Sequence, residues 1–224
     1  MHAGTAWVDK RLNRVDAETA GGAEGKASIE DALVIERVKN GDTAAFGELV
    51  RKYQDRVFNA CWRLCGNLED AKDLTQEAFL KTLEAISSFR YQSAFYTWLF
   101  RVAVNVTISH RRRRQRRQTI SLDDAGGGHQ ARGLVREMGD ADHQRDVTEL
   151  NHELVQAMQG LDDDHRAVLV LRDIEGFDYK QISEILEIPQ GTVKSRLFRS
   201  RMAMREAIQP WLIENPVSRS HDAT

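Results

Sequence analysis

Ser93-Ala-Phe-Tyr-Thr-Trp-Leu-Phe-Arg-Val-Ala-Val-Asn105 leads into His110-Arg-Arg-Arg-Arg-Gln-Arg-Arg117. Leu99, Val102, Ala103 and Val106 recur at the three- and four-residue spacing of a helix with one apolar side, so the stretch is a helix, set between three aromatics (Phe95, Tyr96, Trp98) and a block of arginines. Two readings stay open at this point. Aromatic faces suit unstacked bases and guanidinium groups suit phosphates. Equally, the aromatics could be core and the arginines a solvated helix end.

Working outward, the same periodicity recurs on both sides. Ser28 to Asn40 reads as a helix with Ser28 as N-cap, Ile29, Leu33, Val34 and Val38 as its apolar set and Gly41 as its stop. Asp42 caps a second helix whose apolar positions run from Phe46 to Cys65, and Gly66-Asn67 ends it. A third, from Glu69 to Ser87, buries Leu74, Ala78, Leu83 and Ile86. It keeps Asp73, Gln76, Glu77 and Lys81 on one polar face, which is either solvated or a docking surface. Four helices with short connections can share one core, so residues 28–118 form one all-α domain.

Residues 119–148 contain Gly126-Gly127-Gly128 and no sustained period, and are read as a flexible linker. Residues 1–27 lack periodicity and are read as a disordered extension. A second helical domain spans 149–210, with a tail at 211–224. In it Asp178 caps a short helix carrying Ile182, Ile185 and Leu186. A turn at Glu187-Ile188-Pro189 follows, and a long helix runs from Gln190 to Ala207. Short helix, tight turn and long helix is the outline of a helix-turn-helix.

On the long helix Val193, Leu197 and Met204 share one side, and Thr192, Ser195, Arg196 and Arg199 share another, about 120° away at 100° per residue. The apolar side can pack while the polar side offers donors to base edges and phosphates in a major groove. Lys194 and Arg201 lie on a third side, suited to flanking phosphates.

The chain has 224 residues, 41% hydrophobic and 29% charged, enough for one large or two small cores. No apolar run approaches the roughly 20 residues of a membrane span, so no membrane insertion is expected and the cytoplasm is the expected location. The net charge of −2 averages the arginine block against acidic clusters such as Asp162-Asp163-Asp164. Cys61 and Cys65, four apart on one helix, read as core packing. There is no HExxH, no phosphate-cradling glycine loop and no Ser/His/Asp set, so no catalytic residue, metal or cofactor is expected.

Two nucleic-acid surfaces remain, one suited to duplex and one to bases out of their stack. Asp73-Leu-Thr-Gln-Glu-Ala-Phe79, Phe89-Arg90, Ser93 to Asn105, Gly176-Phe-Asp-Tyr-Lys-Gln-Ile182 and Ile188-Pro-Gln-Gly-Thr-Val-Lys-Ser-Arg-Leu-Phe-Arg-Ser-Arg201 together resemble the extracytoplasmic-function (ECF) sigma factors of bacterial RNA polymerase, within the sigma-70 family and closest to the sigma-E type. The resemblance implies a dissociable, non-enzymatic initiation factor. Its partners would be core RNA polymerase, through the clamp helices of the largest subunit and the flap, promoter DNA, duplex and single-stranded, and an anti-sigma factor.

Carried onto this chain, the resemblance assigns core-polymerase binding to Asp73, Gln76, Glu77, Phe79 and Lys81. It assigns the −10 element and single-stranded DNA to Phe89, Arg90, Ser93, Phe95, Tyr96, Thr97, Trp98, Arg101, Asn105, Arg112 and Arg113. It assigns the −35 element to Thr192, Lys194, Ser195, Arg196, Phe198 and Arg199. Departures from the family pattern include Glu187 where Gly is common in the turn and Asp178 in place of Ser at the cap. The alternatives weighed are a self-sufficient helix-turn-helix regulator binding operators as a dimer, which would leave the Asp73 face idle, and a nuclease, which lacks a metal carboxylate cluster.

Overall fold

The computed structural model describes residues 20–122 and 143–215, with side chains at 29–117 and 151–215. Among the described residues there are only helices and turns: α1 Ala20–Lys39, α2 Phe46–Cys65, α3 Leu68–Ala85, α4 Phe95–Leu122, α5 His143–Gln159, α6 Asp163–Leu169, α7 Tyr179–Leu186 and α8 Gln190–Glu214. The all-α expectation is met. The regular spacing of apolar side chains explains why these segments are helical. In α2, Phe46, Leu49, Tyr53, Val57, Ala60, Cys61 and Leu64 are all buried, and in α8 Val193, Leu197, Met204 and Ile208 are. Cys61 is a core residue, as its place in the stripe suggests.

Capping sets the boundaries. Asp42 accepts from the Ala45 amide before α2, Asn67 accepts from the Asp70 amide at 2.9 Å before α3, and Asp178 and Gln181 form a reciprocal capping box on α7 at 2.8 Å each way. Four boundaries differ from expectation. α1 begins at Ala20, so Ser28 lies within the helix instead of capping it. Ala20, Ala23, Glu24, Lys26 and Ala27 favour this extension and Gly21, Gly22 and Gly25 disfavour it, and no proline precedes Ser28 to stop it. α8 continues through Pro210 to Glu214, because the carbonyl that the proline leaves unpaired, that of Glu206, lies on the exposed side where water can serve it. α4 ends at Leu122 and α5 starts at His143, so what remains of the expected linker, 123–142, lies outside the described residues, as do 1–19 and 216–224.

Helices α1–α4 pack as one bundle and α5–α8 as another, but the two bundles also share a joint at the C-terminal end of α2. The last four carbonyls of a helix have no partner within it. Here Trp62 O accepts from the Gly66 amide at 2.7 Å and Arg63 O from Gln159 Nε2 at 3.1 Å. Leu64 O accepts from Arg166 at 2.8 Å and Arg111 at 3.3 Å, and Cys65 O from Arg111 at 3.4 Å. Gly66 is needed for two reasons. Its φ is +76°, and a Cβ there would stand 2.4 Å from Gln159 Cδ.

The turn of the helix-turn-helix also departs from ideal backbone. Glu187, at the C-terminus of α7, has φ 55° and ψ 43°, a left-handed conformation costing a non-glycine residue about 1 kcal/mol. Its one ionic neighbour, Arg101 at 3.9 Å, is an exposed contact worth a few tenths of a kcal/mol. Replacing Glu187 by Gly should therefore raise stability by roughly 0.5–1 kcal/mol in urea unfolding. A loss of stability would mean that the glutamate side chain holds the turn.

Candidate nucleic-acid interface

The α3 face is exposed as its spacing suggested. Asp73, Gln76 and Lys81 face solvent, Glu77 is half-buried, and Lys81 pairs with Glu77 at 2.7 Å. Phe79 is not on it. The ring is buried edge-on to Phe46, with centroids 6.3 Å apart, so its part is to anchor α3 on α2. Leu80 stands in the polar face and is 54% exposed. Leu80 falls outside the buried stripe, so periodicity does not single it out.

The aromatics before and within the first turn of α4 divide. Phe89, Phe95 and Thr97 are buried, and the Phe89, Phe95 and Trp98 rings form a mutual cluster with centroids 5.0–5.9 Å apart. Phe89, Phe95 and Thr97 are thus core residues rather than surfaces for bases, because the short connection into α4 must be pinned to α2, where Phe95 meets Tyr53 at 6.0 Å. Arg90, Asn105, Arg112 and Arg113 are exposed, and Ser93, Trp98 and Arg101 half-buried. Arg101, Asn105, Ser109 and Arg112 are spaced along one face of α4. The arginine block is not a uniform phosphate-binding strip. Arg111 is spent on the joint, reaching Asp163 at 2.7 Å and Gln159 Oε1 at 2.5 Å, and Arg114 pairs with Asp70.

Tyr96 takes the most unexpected position. Its ring stacks on Phe177 of the second bundle, centroids 4.9 Å apart and planes 16° from parallel, while Arg56 lies over it at 4.4 Å. Its hydroxyl donates to Glu175 Oε2 at 3.1 Å, and Arg56 donates both to that carboxylate at 3.3 Å and to the Glu175 carbonyl at 3.0 Å. A base could not stack on Tyr96 while Phe177 occupies that side. Burial pushes the Glu175 carboxyl up and outweighs Arg56 and Tyr96, which pull it down. The Tyr96 hydroxyl is raised as well, by burial first and Glu175 second, so it remains a donor.

On α8, Lys194, Ser195, Phe198 and Arg199 are exposed, Phe198 by 68%, and Thr192 and Arg196 are half-buried. The structure brings these six onto the outward sides of the helix, opposite Val193 and Leu197. Asp164 holds Arg196 at 2.9 Å. Arg201, expected to flank phosphates, instead grips Asp173 with two nitrogens, at 2.9 and 2.5 Å. The Asp173 side chain is 2% exposed and must be paired.

The family models for Sigma-70 region 2 and for Sigma-70, region 4 match residues 49–117 and 151–204. The chain is 38% identical to the RNA polymerase sigma-H factor of Pseudomonas aeruginosa over 83% of this chain and 97% of that one. It is 36% identical to the ECF RNA polymerase sigma-E factor of Escherichia coli K12 over 81% of this chain and 96% of that one. The chain belongs to the ECF sigma factors. Two solved structures share the fold, each with a TM-score of 0.58. CnrH in complex with the cytosolic domain of CnrY is 20% identical over 80% of this chain and 96% of that one. The sigma factor RpoE with the anti-sigma factor NepR, from Bartonella quintana, is 22% identical over 73% and 96%. In this ECF sigma factor α1–α4 contain region 2 and α5–α8 region 4. No helix among the described residues is long and apolar enough to cross a membrane.

Glu175 lies where the two regions meet, and burial raises its carboxyl despite Arg56 and Tyr96. A carboxyl raised above its ordinary value favours the arrangement that buries it as pH falls through the raised value and disfavours it above. Distance measurements between labels on α3 and α8 of the free protein should show the docked fraction growing as pH is lowered from neutrality. Glu175→Gln should flatten that dependence. A docked fraction that falls on acidification would contradict the assignment.

Proposed function

We propose that this sigma factor is a dissociable, non-catalytic specificity subunit acting in the cytoplasm, which brings core RNA polymerase to promoters through a −35 and a −10 element and helps open them. What carries the reading is the exposure, within one chain, of the α3 face and the polar face of α8. Asp73, Gln76, Glu77 and Lys81, joined by Leu80, dock on the clamp helices of the largest polymerase subunit, and region 4 meets the flap. Thr192, Lys194, Ser195, Arg196, Phe198 and Arg199 read the −35 duplex, with Asp164 orienting the Arg196 guanidinium before it meets a base. Arg90, Ser93, Trp98, Arg101, Asn105, Arg112 and Arg113 follow the unpaired −10 strand. The likeness in fold to a sigma factor solved in complex with an anti-sigma factor supports control by an anti-sigma factor.

Distance sets a further requirement. The two promoter elements are separated by roughly 85 Å of duplex at 3.4 Å per base-pair step. A compact chain of this length has a radius of gyration of about 17 Å. The docked arrangement therefore cannot span both elements, and regions 2 and 4 must part on the way to the promoter complex. Parting frees Tyr96 from Phe177 and offers its ring to a base, an exchange that base–aromatic stacking, worth about 1–3 kcal/mol, can drive.

In transcription with core polymerase on a promoter mapped for this factor, Arg196→Ala and Arg199→Ala should each weaken −35 recognition by about 1–3 kcal/mol without changing core affinity. Asp73→Ala with Gln76→Ala should lower core affinity and leave the −35 footprint of isolated region 4 contacts intact. Full promoter activity in the Asp73/Gln76 variant would support a regulator that works without polymerase.

A further inference from the structure

Tyr91, in the loop between α3 and α4, is one of two non-glycine residues among those described with a left-handed backbone, at φ 56°. Unlike Glu187 it does not end a helix, so no helix terminus accounts for it. Such a conformation persists in a bulky residue only where the surroundings over-determine it, and it clusters where a loop's shape matters to function.

The surroundings come from the C-terminal turn of α1. The Tyr91 hydroxyl donates to Glu36 Oε1 at 2.7 Å, and the Lys39 ammonium lies 4.5 Å from the centre of the Tyr91 ring. Lys39 also donates to the Phe89 carbonyl at 2.9 Å and pairs with Glu36 at 3.3 Å. The Phe89 ring, edge-on to Tyr91 at 4.9 Å, fixes the other side. Two residues of α1 thus hold the loop backbone at Phe89 and its apex at Tyr91. Beyond those anchors Arg90, Gln92 and Ala94 face solvent. Tyr91 itself is 43% exposed, and burial, then the Glu36 carboxylate, pushes its hydroxyl up to about 12, so it stays a donor at neutral pH.

We infer that Glu36 and Lys39 are positioning residues for base selection: by clamping Tyr91 in its left-handed conformation they fix the shape of the Phe89–Ala94 loop, and with it which unpaired base the loop accepts. The inference rests on the reading of this loop as part of the −10 strand surface. Neither α1 residue need touch DNA. Their contribution is to let one loop shape meet the base instead of several, so a loosened clamp should erase discrimination among bases more than overall affinity.

The test uses full-length protein, core polymerase and forked promoter DNA whose −10 strand is unpaired, with each of the four bases in turn at every −10 position. At the position where the wild type discriminates most, Glu36→Ala, Tyr91→Phe and Lys39→Met should each reduce the preference for the best base over the next by fivefold or more, with unchanged core affinity and melting temperature. Glu36→Ala combined with Tyr91→Phe should lose no more than either alone, since both remove one hydrogen bond. Glu36→Gln, which keeps the acceptor, should retain most of the preference. The inference is overturned if the single variants stay within twofold of wild type while Gln92→Ala with Ser93→Ala abolishes discrimination. If that loop variant also leaves base preference and fork affinity unchanged, the reading of the loop as a base-accepting surface falls, and the inference with it.

Discussion

The docked arrangement of this sigma factor centres on the Arg166 guanidinium, 1% exposed, which ties the corner between α5 and α6 to the Leu64 carbonyl at the end of α2. Burying a cation is costly unless every donor is paired, and here all five N–H groups have acceptors: Met158, Gln159 and Leu161 carbonyls at the end of α5, Leu64 O at the end of α2, and Asp163. Two helix C-termini, one from each region, converge on a single positive charge, which also suits the negative ends of both helix dipoles. Burial first, and neighbouring Arg111 second, pull its pKa down to about 10, still charged at neutral pH. Arg111 repeats the device from the side of region 2.

These contacts draw on the same helix to which the proposed function assigns the unpaired −10 strand. Arg111 belongs to the basic end of α4, and Tyr96 to the aromatic entry of the same helix. The interactions holding the regions together are polar and charge-assisted at the α2 terminus, and aromatic at Tyr96, Phe100 and Phe177. When the regions part, water can serve the freed carbonyls at the α2 terminus, whereas the aromatic surface needs another partner. In the proposed function an unpaired base supplies it, which would tie release of the joint to capture of a strand.

Much of this was legible in the sequence, because much of it is local. The capping box at Asp178, the turn at Glu187 and the buried side of α8 follow from residues within a few positions of one another. What periodicity could not supply was partner identity across the chain. Phe79, Phe89 and Phe95 fall in motifs that the family resemblance assigns to polymerase or DNA, yet all three are buried, because a motif match does not say what covers a ring. Arg201 reads as suited to flanking phosphates, yet Asp173, 28 positions away, is buried beside it and takes its guanidinium. Tyr96 on Phe177, 81 positions apart, and Arg111 on Asp163 belong to the same class, and so does Tyr91, whose backbone conformation no spacing rule anticipates.

The most direct measurement is the distance between labels placed on the exposed sides of α3 and α8, taken in the free protein and again with core polymerase and promoter DNA. Expected is a single short distance in the free protein, lengthened in Arg166→Ala, and a separation of several tens of ångströms in the promoter complex. A broad, long distribution in the free wild-type protein, unchanged by Arg166→Ala, would contradict a joint held by that guanidinium.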